Sequence, residues 1–217
     1  MKKTTLAVIV LIIASFLVGI YTYPEMPDKV ASHWNSRGEV DGYMSKFWGI
    51  FLMPIISLGV LLLFLLIPKI DPLKKNIKKF RNYFDWFILL IVLFLFYIYL
   101  LTVFWNLGYS FNMTTMMLPA LGILFYYVGI LTENAKRNWF IGIRTPWTLS
   151  SETVWDKTHK IGGKLFKAAG ALAFVGIFFQ EHAVKIVIIP VIAVAVFLLV
   201  YSYFEYQKLQ KNSRKKR

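Results

Sequence analysis

The sequence predicts an all-α fold, a polytopic membrane helix bundle of about six transmembrane helices with both termini in the cytoplasm. The first observation is composition: 58% of the 217 residues are hydrophobic, and the mean hydropathy is +0.58. A soluble domain is typically only about 45–50% apolar. The second is that the apolar residues form long charge-free blocks, and the third is that basic residues concentrate in alternate connections between them. Such blocks are typical of helices that cross a bilayer.

Five charge-free blocks have the length of a crossing, because a hydrocarbon core about 30 Å thick needs about 20 helical residues. They are residues 4–24, 47–68, 86–106, 113–132 and 186–204, and a turn-like cluster at 106–112 divides the third from the fourth. One further crossing, the fifth in chain order, is predicted at residues 165–180, where Lys164 and Lys167 can extend their side chains to the cytoplasmic interface. This crossing keeps the basic segments before and after it on the same side.

The distribution of basic residues supports this topology, because Lys and Arg concentrate on the cytoplasmic side of membrane proteins. Of the 25 basic residues, only Lys29, Arg37, Lys46 and Lys185 fall in segments predicted to lie outside. The net charge of +14 is therefore explained by topology, and direct nucleic-acid binding is not predicted. We expect a multi-pass protein of the cell membrane whose basic segments face the anionic inner leaflet of the lipid bilayer.

Three parts are predicted along the chain. Residues 1–68 form a two-helix membrane module with an external loop at 22–46, residues 69–84 a basic cytoplasmic loop, and residues 85–217 a four-helix module with a cytoplasmic loop at 133–164. Lys2 and Lys3 before an apolar run also fit a cleaved signal peptide, but the run is long and no cleavage pattern follows it. We interpret it as a retained first helix; cleavage would leave five crossings in the same orientation.

Several function classes are disfavoured. The chain has no cysteine, which excludes disulfides, cysteine metal sites and thiol nucleophiles. No ionisable residue lies deep in a predicted crossing, unlike in most proton pumps and ion-coupled transporters. No phosphate-binding loop, nucleophile elbow or histidine pair at metal spacing occurs, so we expect neither enzymatic activity nor a cofactor. A small transporter or permease for a neutral or amphipathic solute stays the alternative, with a path lined by Ser57, Thr102, Thr114 and Thr115.

The external loop carries the candidate ligand-facing residues His33, Asn35, Gly38, Asp41 and Lys46. Metal-ligand atoms are present on His33, Asn35, Glu39 and Asp41, but their spacing matches no strong metal motif, and no metal site is predicted. One interpretation is a folded loop with turns at Gly38 and Gly42, in which Arg37 and Lys46 lie near the carboxylates of Glu39 and Asp41. The other is a receptor surface for an extracellular ligand.

In the first inner loop, Asp71 can cap a helix that begins at Pro72. Apolar residues recur at helical spacing from Leu73 through Ile77 to Phe84, with lysines on other faces. This pattern predicts a basic amphipathic helix on the inner leaflet, or alternatively a surface for protein docking.

The second inner loop is the most distinctive segment. Pro146 favours an extended backbone at Thr145, and Ser150 or Ser151 can cap a helix that continues into the fifth crossing. Three tryptophans and Arg144 are unusual in a plain connection. Two interpretations stay open: the aromatic residues anchor the loop to the membrane, or the loop is a docking surface.

This loop resembles the cytoplasmic signature of the SdpI family of bacterial and archaeal membrane proteins. The resemblance rests on residues 137–149 with Ser151, Glu152, Trp155, His159 and Gly162, followed by two further crossings as in that family. The external loop resembles an uncharacterised membrane module often found ahead of it, through Pro27 to Val30, His33-Trp34-Asn35, Gly38, Asp41-Gly42 and Ser45-Lys46.

The resemblance implies immunity to a secreted antimicrobial toxin. It also implies signalling in which the membrane protein sequesters a cytoplasmic transcriptional repressor. The partner-binding residues expected by this resemblance are Asn138, Trp139, Gly142, Arg144, Thr145, Pro146, Trp147, Glu152, Trp155 and His159. Matching alone does not distinguish residues that touch a partner from residues that only fold the loop.

Overall fold

The structure is a computed structural model that describes residues 2–179 and 182–215. This part of the chain forms eight α-helices and one small β-hairpin. Their bounds are α1 Lys3–Thr22, a 3₁₀ turn Tyr23–Glu25, β1 Lys29–Trp34, β2 Val40–Ser45, α2 Lys46–Ile70, α3 Lys74–Lys79, α4 Arg81–Asn106, α5 Met113–Asn134, α6 Pro146–Ser150, α7 Glu152–Gly176 and α8 Ala183–Lys215. The predicted all-α fold is confirmed.

Five of these helices are long and apolar enough to cross a membrane, namely α1, α2, α4, α5 and α8. Many of their large apolar side chains are exposed on the outside of the bundle, such as Leu17, Leu62 and Ile192. In a bilayer, acyl chains cover such apolar surfaces. The backbone N–H and C=O groups of each helix form hydrogen bonds within the helix. The chain is a multi-pass membrane protein, as predicted.

Residues 165–176 of the crossing predicted at 165–180 lie in α7, which ends at Gly176, and residue 180 lies outside the described residues. The first half of α7 is strongly polar. The helix packs antiparallel to α5 through two glycine pairs, Gly129 with Gly163 and Gly122 with Gly170. A Cβ added to Gly163 would lie 2.6 Å from the carbonyl oxygen of Gly129, so neither helix tolerates a side chain here. Small residues at a membrane helix interface permit this close backbone approach.

Contacts at the two ends of the bundle show the direction in which α7 and α8 cross it. Val184 near the start of α8 lines a cavity together with Trp34 of the hairpin. Towards the other end of α8, the Ser202 hydroxyl lies 3.0 Å from the hydroxyl of Thr145, beside α6. Therefore α7 runs towards the hairpin end and α8 returns. Among the described residues, six helices pass between the two ends, namely the five candidate membrane spans and α7. Because Lys and Arg concentrate on the cytoplasmic side of membrane proteins, we assign the α6 end, which carries the excess of basic residues, to the cytoplasm.

The first inner loop differs from its prediction. The helix α3 begins at Lys74 rather than at Pro72 and has only six residues. Ile77, Phe80 and Phe84 are fully buried in the largest core cluster among the described residues, together with Val8 and Trp155. The apolar face therefore packs on the bundle and not on the leaflet, because periodicity identifies such a face but not what covers it. The boundaries of the three predicted parts stay a prediction.

Candidate functional site

The cytoplasmic loop between α5 and α7 is folded around the buried amide of Asn138. Its Nδ2 donates to the carbonyl oxygens of Lys136 and Ile141, each at 2.8 Å. Its Oδ1 accepts from the backbone N–H groups of Phe140 at 2.9 Å and Ile141 at 2.6 Å. All four hydrogen-bonding positions of the amide are thus used inside the protein. Asn138 shapes the loop and does not face a partner.

Asp71 ties the two inner loops together, a role that sequence reasoning missed. Its carboxylate is buried and accepts from the backbone N–H of Leu73 at 2.6 Å and from that of Trp139 at 2.9 Å. Nearby, Asn76 donates to the carbonyl oxygen of Arg137 at 2.9 Å. A buried carboxylate needs such donors, since its charge has left water. The sequence predicts Asp71 as the cap of a helix that begins at Pro72, but nothing in it identifies Trp139 as a partner.

Trp155 and His159 form a stacked, buried pair with ring centroids 3.8 Å apart. The indole of Trp155 donates to the carbonyl oxygen of Ala135 at 2.8 Å. Nε2 of His159 accepts from the backbone N–H of Ile143 at 3.0 Å, which places the ring proton on Nδ1, where it is donated to the Trp155 carbonyl oxygen at 2.9 Å. Burial lowers the pKa of His159 to about 4, so the imidazole is neutral at cytoplasmic pH.

Gly142 is the one residue of this loop whose backbone requires glycine. Its φ is +109°, in the region that side chains avoid. A Cβ there would collide with Nε2 of His159, the atom that accepts from Ile143. Gly142 and His159 therefore close the loop on α7 together.

The Thr145-Pro146 step starts a short helix that was not predicted, although the extended backbone at Thr145 was. Thr145 and Thr148 form a reciprocal capping box, and Pro146 occupies the first helical position of α6. The choice between the two serines is settled in favour of Ser151, whose hydroxyl accepts from the backbone N–H of Val154 at 3.3 Å and caps α7. Ser150 donates instead to the carbonyl oxygen of Pro146 at 2.6 Å.

The ten predicted partner-binding residues thus separate into two sets. Five of them are buried or have a structural role in the loop, namely Asn138, Gly142, Thr145, Trp155 and His159. The remaining five form what we term the outward set: Trp139, Arg144, Pro146, Trp147 and Glu152. Of these, Trp139 is 51% exposed. Among these ten residues, the outward set presents side chains that another protein can reach, and its role in binding stays a prediction.

Within the outward set, the backbone and neighbouring rings hold the side chains in position. The exposed guanidinium of Arg144 donates to the carbonyl oxygen of Trp139 at 2.9 Å. Trp147 packs edge-on against Tyr203 of α8, with centroids 5.2 Å apart. Glu152 lies 3.7 Å from the guanidinium of Arg137. This surface therefore offers aromatic area and one hydrogen-bonding cation, features enriched at protein interfaces.

At the other end of the bundle, residues 29–45 form a β-hairpin. His33 and Asp41 meet across the strands at 2.5 Å, and Arg37 pairs with Glu39 at 2.9 Å near the turn. Hydrogen bonds from Asn35 and Arg37 lower the pKa of the exposed Glu39 carboxyl. Within the described residues, no cluster of three or more metal-ligating side chains occurs.

The predicted turns and ion pairs of this loop are correct only in part. Gly38 has a φ of +80° and lies in the turn, as expected. Gly42 instead lies within β2, opposite His33. Lys46 is not near the carboxylates, because its ammonium group lies 4.9 Å above the ring of Tyr23 and 3.4 Å from the Pro24 carbonyl oxygen.

Three polar side chains at the outer ends of α4 and α5 hold the hairpin in place. Asn106 accepts from the backbone N–H of Ala31 at 2.8 Å and donates to its carbonyl oxygen at 3.0 Å, as a neighbouring strand would. Asn112 donates to the Arg37 carbonyl oxygen at 2.9 Å, and Thr114 to that of Asn35 at 3.2 Å. Sequence reasoning interpreted residues 106–112 only as a turn and missed these contacts.

The four hydroxyls suggested for a solute path all donate to protein acceptors. Ser57 and Thr102 bond to carbonyl oxygens of their own helices at 2.9 and 3.0 Å. Thr114 bonds to the hairpin, and Thr115 bonds to Asn112 at 3.2 Å. These contacts give the hydroxyls structural roles.

The helix bundle, the external hairpin and the folded cytoplasmic loop define the class of protein. It is a multi-pass membrane protein with a folded surface at each end of the bundle. Residues 134–202 match the family model of the SdpI/YfhL protein family, and residues 10–58 match that of a domain of unknown function, DUF1648. The chain is 30% identical to Immunity protein SdpI of Bacillus subtilis (strain 168) over 210 residues, which covers 96% of this chain and 98% of that protein. The chain belongs to the SdpI/YfhL family. No solved structure is significantly similar to it.

Proposed function

We propose that this protein is a non-enzymatic immunity protein that protects its cell from a secreted antimicrobial toxin. The observation that carries the proposal is the similarity to a relative named for immunity across nearly the full length of both chains. That similarity includes both the external hairpin and the cytoplasmic loop. The proposal thus assigns a role to the two surfaces that the membrane separates.

The external hairpin is the surface that a secreted toxin meets. Asn106, Asn112 and Thr114 fix it to the bundle, so its strands need no partner to be ordered. Several of its side chains point away from the bundle, among them Tyr43, which is 59% exposed. A preorganised surface binds a ligand with less loss of conformational entropy than a flexible loop does.

The outward set at the cytoplasmic end is the proposed contact for a transcriptional repressor. Arginine and tryptophan are over-represented among residues that dominate binding energy, and Arg144 and Trp139 lie in contact here. The backbone beneath them is fixed by Asn138 and Asp71, which supports a defined docking geometry.

Expression of the full chain in toxin-sensitive cells tests the immunity role. We expect survival in toxin-containing culture supernatants to rise by about tenfold or more relative to cells with an empty vector. Undiminished killing in every such supernatant would contradict the role.

The repressor role is tested separately with Arg144→Ala. This variant should reduce the amount of tagged repressor recovered with the membranes by about tenfold, since it removes a charged contact. Lys160→Ala, at an exposed position of α7 outside the outward set, is the matched control and should not change recovery. Equal recovery with Arg144→Ala and the unmodified chain would contradict this part of the proposal.

A further inference from the structure

We infer that the free edge of β2 in the external hairpin binds an extended segment of the secreted toxin as a third β-strand. β2 forms one edge of a two-stranded sheet, and its residues Tyr43, Met44 and Ser45 are all exposed. Main-chain hydrogen bonds hold the segment, as in other proteins that capture a peptide by adding a strand to a sheet. This inference rests on the proposed immunity function and names the chemistry of the toxin that the hairpin recognises.

The register of the hairpin shows which way the main-chain groups of Tyr43 point. Tyr43 lies opposite Ala31 of β1, and Ala31 directs both its N–H and its carbonyl oxygen away from β2, to Asn106. In an antiparallel pair, two opposite residues either exchange both hydrogen bonds or direct their main-chain groups away from each other. The N–H and carbonyl oxygen of Tyr43 therefore point away from β1, along the free edge.

Ser45 supplies a further donor on the same edge. It lies opposite Lys29, two residues beyond the Tyr43 pair, so the same alternation directs its N–H away from β1. The next residue, Lys46, points the other way, because its N–H donates to the carbonyl oxygen of Asp28 at 2.9 Å. The carbonyl oxygen of Ser45 begins the hydrogen bonding of α2. The free edge thus presents an N–H and a carbonyl oxygen at Tyr43 and an N–H at Ser45.

The two edges of the hairpin differ in how they are protected. On the β1 side, Asn106 bonds to Ala31 as a neighbouring strand would. β2 contains neither lysine nor proline, the residues with which proteins commonly protect an exposed edge. Its outward N–H and carbonyl groups bond to water in the free protein and can bond to another extended chain. The ligand complementary to this edge is therefore a peptide main chain.

A toxin segment fits this edge better than a second copy of the chain does. A stable dimer usually buries about 800 Å² on each partner, with about 20–30 residues a side. β2 has only six residues and continues at Lys46 into α2, a candidate membrane span. An edge this short binds a few residues of a peptide that arrives from outside. The 59% exposed ring of Tyr43 favours an apolar or aromatic side chain opposite it on the added strand.

The first test is Ser45→Pro in the survival assay, with toxin-containing supernatant as the probe. Ser45 has a φ of −61°, close to the value that proline imposes, and its hydroxyl forms no capping bond. The substitution therefore removes the outward N–H and places a ring on the edge without straining the hairpin. Protection should fall by about tenfold. Ser45→Ala keeps the N–H, is the matched control, and should protect as the unmodified chain does.

The second test is Tyr43→Pro, with Tyr43→Thr as its control. Because the Tyr43 N–H points away from β1, proline at this position removes no hydrogen bond within the hairpin. Tyr43→Pro should also lower protection by about tenfold, whereas Tyr43→Thr keeps the donor and should retain most of the protection. The amount of each variant in the membrane, and the rate at which added protease cleaves its hairpin in intact cells, should equal those of the unmodified chain.

The outcomes separate this inference from the proposed function. Full protection by both proline variants, with an unmodified chain that protects, would overturn the inference and leave the immunity function standing. Equal losses in the proline variants and their controls would also overturn it, because side chains and not N–H groups would then be responsible. Conversion of a dimer into a monomer by Ser45→Pro in detergent would overturn it in favour of pairing between two copies. An unmodified chain that gives no protection would overturn the proposed function, and this inference with it.

Discussion

The two ends of the bundle hold their folded surfaces in opposite ways. The external hairpin lies against the helix ends and is fixed mainly by a few side-chain contacts to its backbone, chiefly from Asn106 and Asn112. The cytoplasmic loop is instead part of the protein core, with Trp155, His159 and Asn138 completely enclosed. A distinctive sequence signature therefore does not have to form a contact surface for a partner. At the cytoplasmic end, half of the predicted partner-binding residues are used to build the loop itself.

The largest effect is expected from Trp155→Ala, because it removes a fully buried indole and its hydrogen bond to Ala135. The free energy of unfolding should fall by about 3–5 kcal/mol. Trp139→Ala, which truncates an exposed tryptophan of the same loop, should change it by no more than about 0.5 kcal/mol. Denaturant titration of both variants in mixed micelles measures the difference, and equal losses would refute the division into buried and outward residues.

The pH dependence of stability should carry a contribution from His159. The pKa of this histidine is about 4 in the folded protein and about 6.5 in the unfolded chain. Between these values the unfolded chain binds more protons, so the free energy of unfolding decreases as the pH falls from about 6.5 to 4, by at most about 3 kcal/mol. His159→Gln keeps an acceptor for Ile143 and should flatten this slope in unfolding titrations. An unchanged slope would show that another group is responsible.

Gly142→Ala is expected to cost about 2 kcal/mol, because it forces a side chain into a positive φ and against His159. Gly59→Ala is the matched control, since an added Cβ there meets no atom within 4 Å. Thermal unfolding in detergent should therefore show a lower midpoint for the first variant only. Similar midpoints would mean that the loop can rearrange around position 142.

The smallest effect on global stability is expected at the outer end. Asn106→Ala removes both hydrogen bonds to Ala31 at a cost of about 1–2 kcal/mol, which should loosen the hairpin alone. Added protease should cleave the hairpin faster in intact cells, with little change in the unfolding midpoint of the purified protein. Asn82→Ala, at an exposed position of α4, should cleave at the original rate. A large drop in the midpoint would show that the hairpin belongs to the cooperative core.

The helices were predictable from sequence, and the contacts between distant segments were not. Charge-free blocks indicate burial in lipid, which is why the crossings at α2 and α4 could be predicted from sequence, although α4 begins at residue 81 and not at residue 86. The bond that the backbone N–H of Trp139 donates to Asp71 joins residues 68 positions apart, and the bond that Ala31 donates to Asn106 joins residues 75 positions apart. No local pattern encodes such a pairing. The β-hairpin was also not predicted, and its attachment to Asn106 of α4 is one of these distant pairings.

The resemblance to a family identified the important loop but not the reason for each residue in it. Gly142 belongs to the signature because of its positive φ and its contact with His159, and both facts require the folded chain. Arg144 belongs to the same signature and is exposed. The role of each residue in the signature can therefore be assigned only when its contacts in the folded protein are known.

The hairpin and the cytoplasmic loop are assigned to opposite sides of the membrane, and labelling of single cysteines measures on which side each one lies. The chain has no cysteine, so Ser36→Cys at the hairpin and Ser150→Cys at the end of α6 each create a single reactive thiol at an exposed position. With a membrane-impermeant maleimide, Ser36→Cys should react in intact cells, and Ser150→Cys should react only after lysis. Labelling of Ser150→Cys in intact cells would contradict the account.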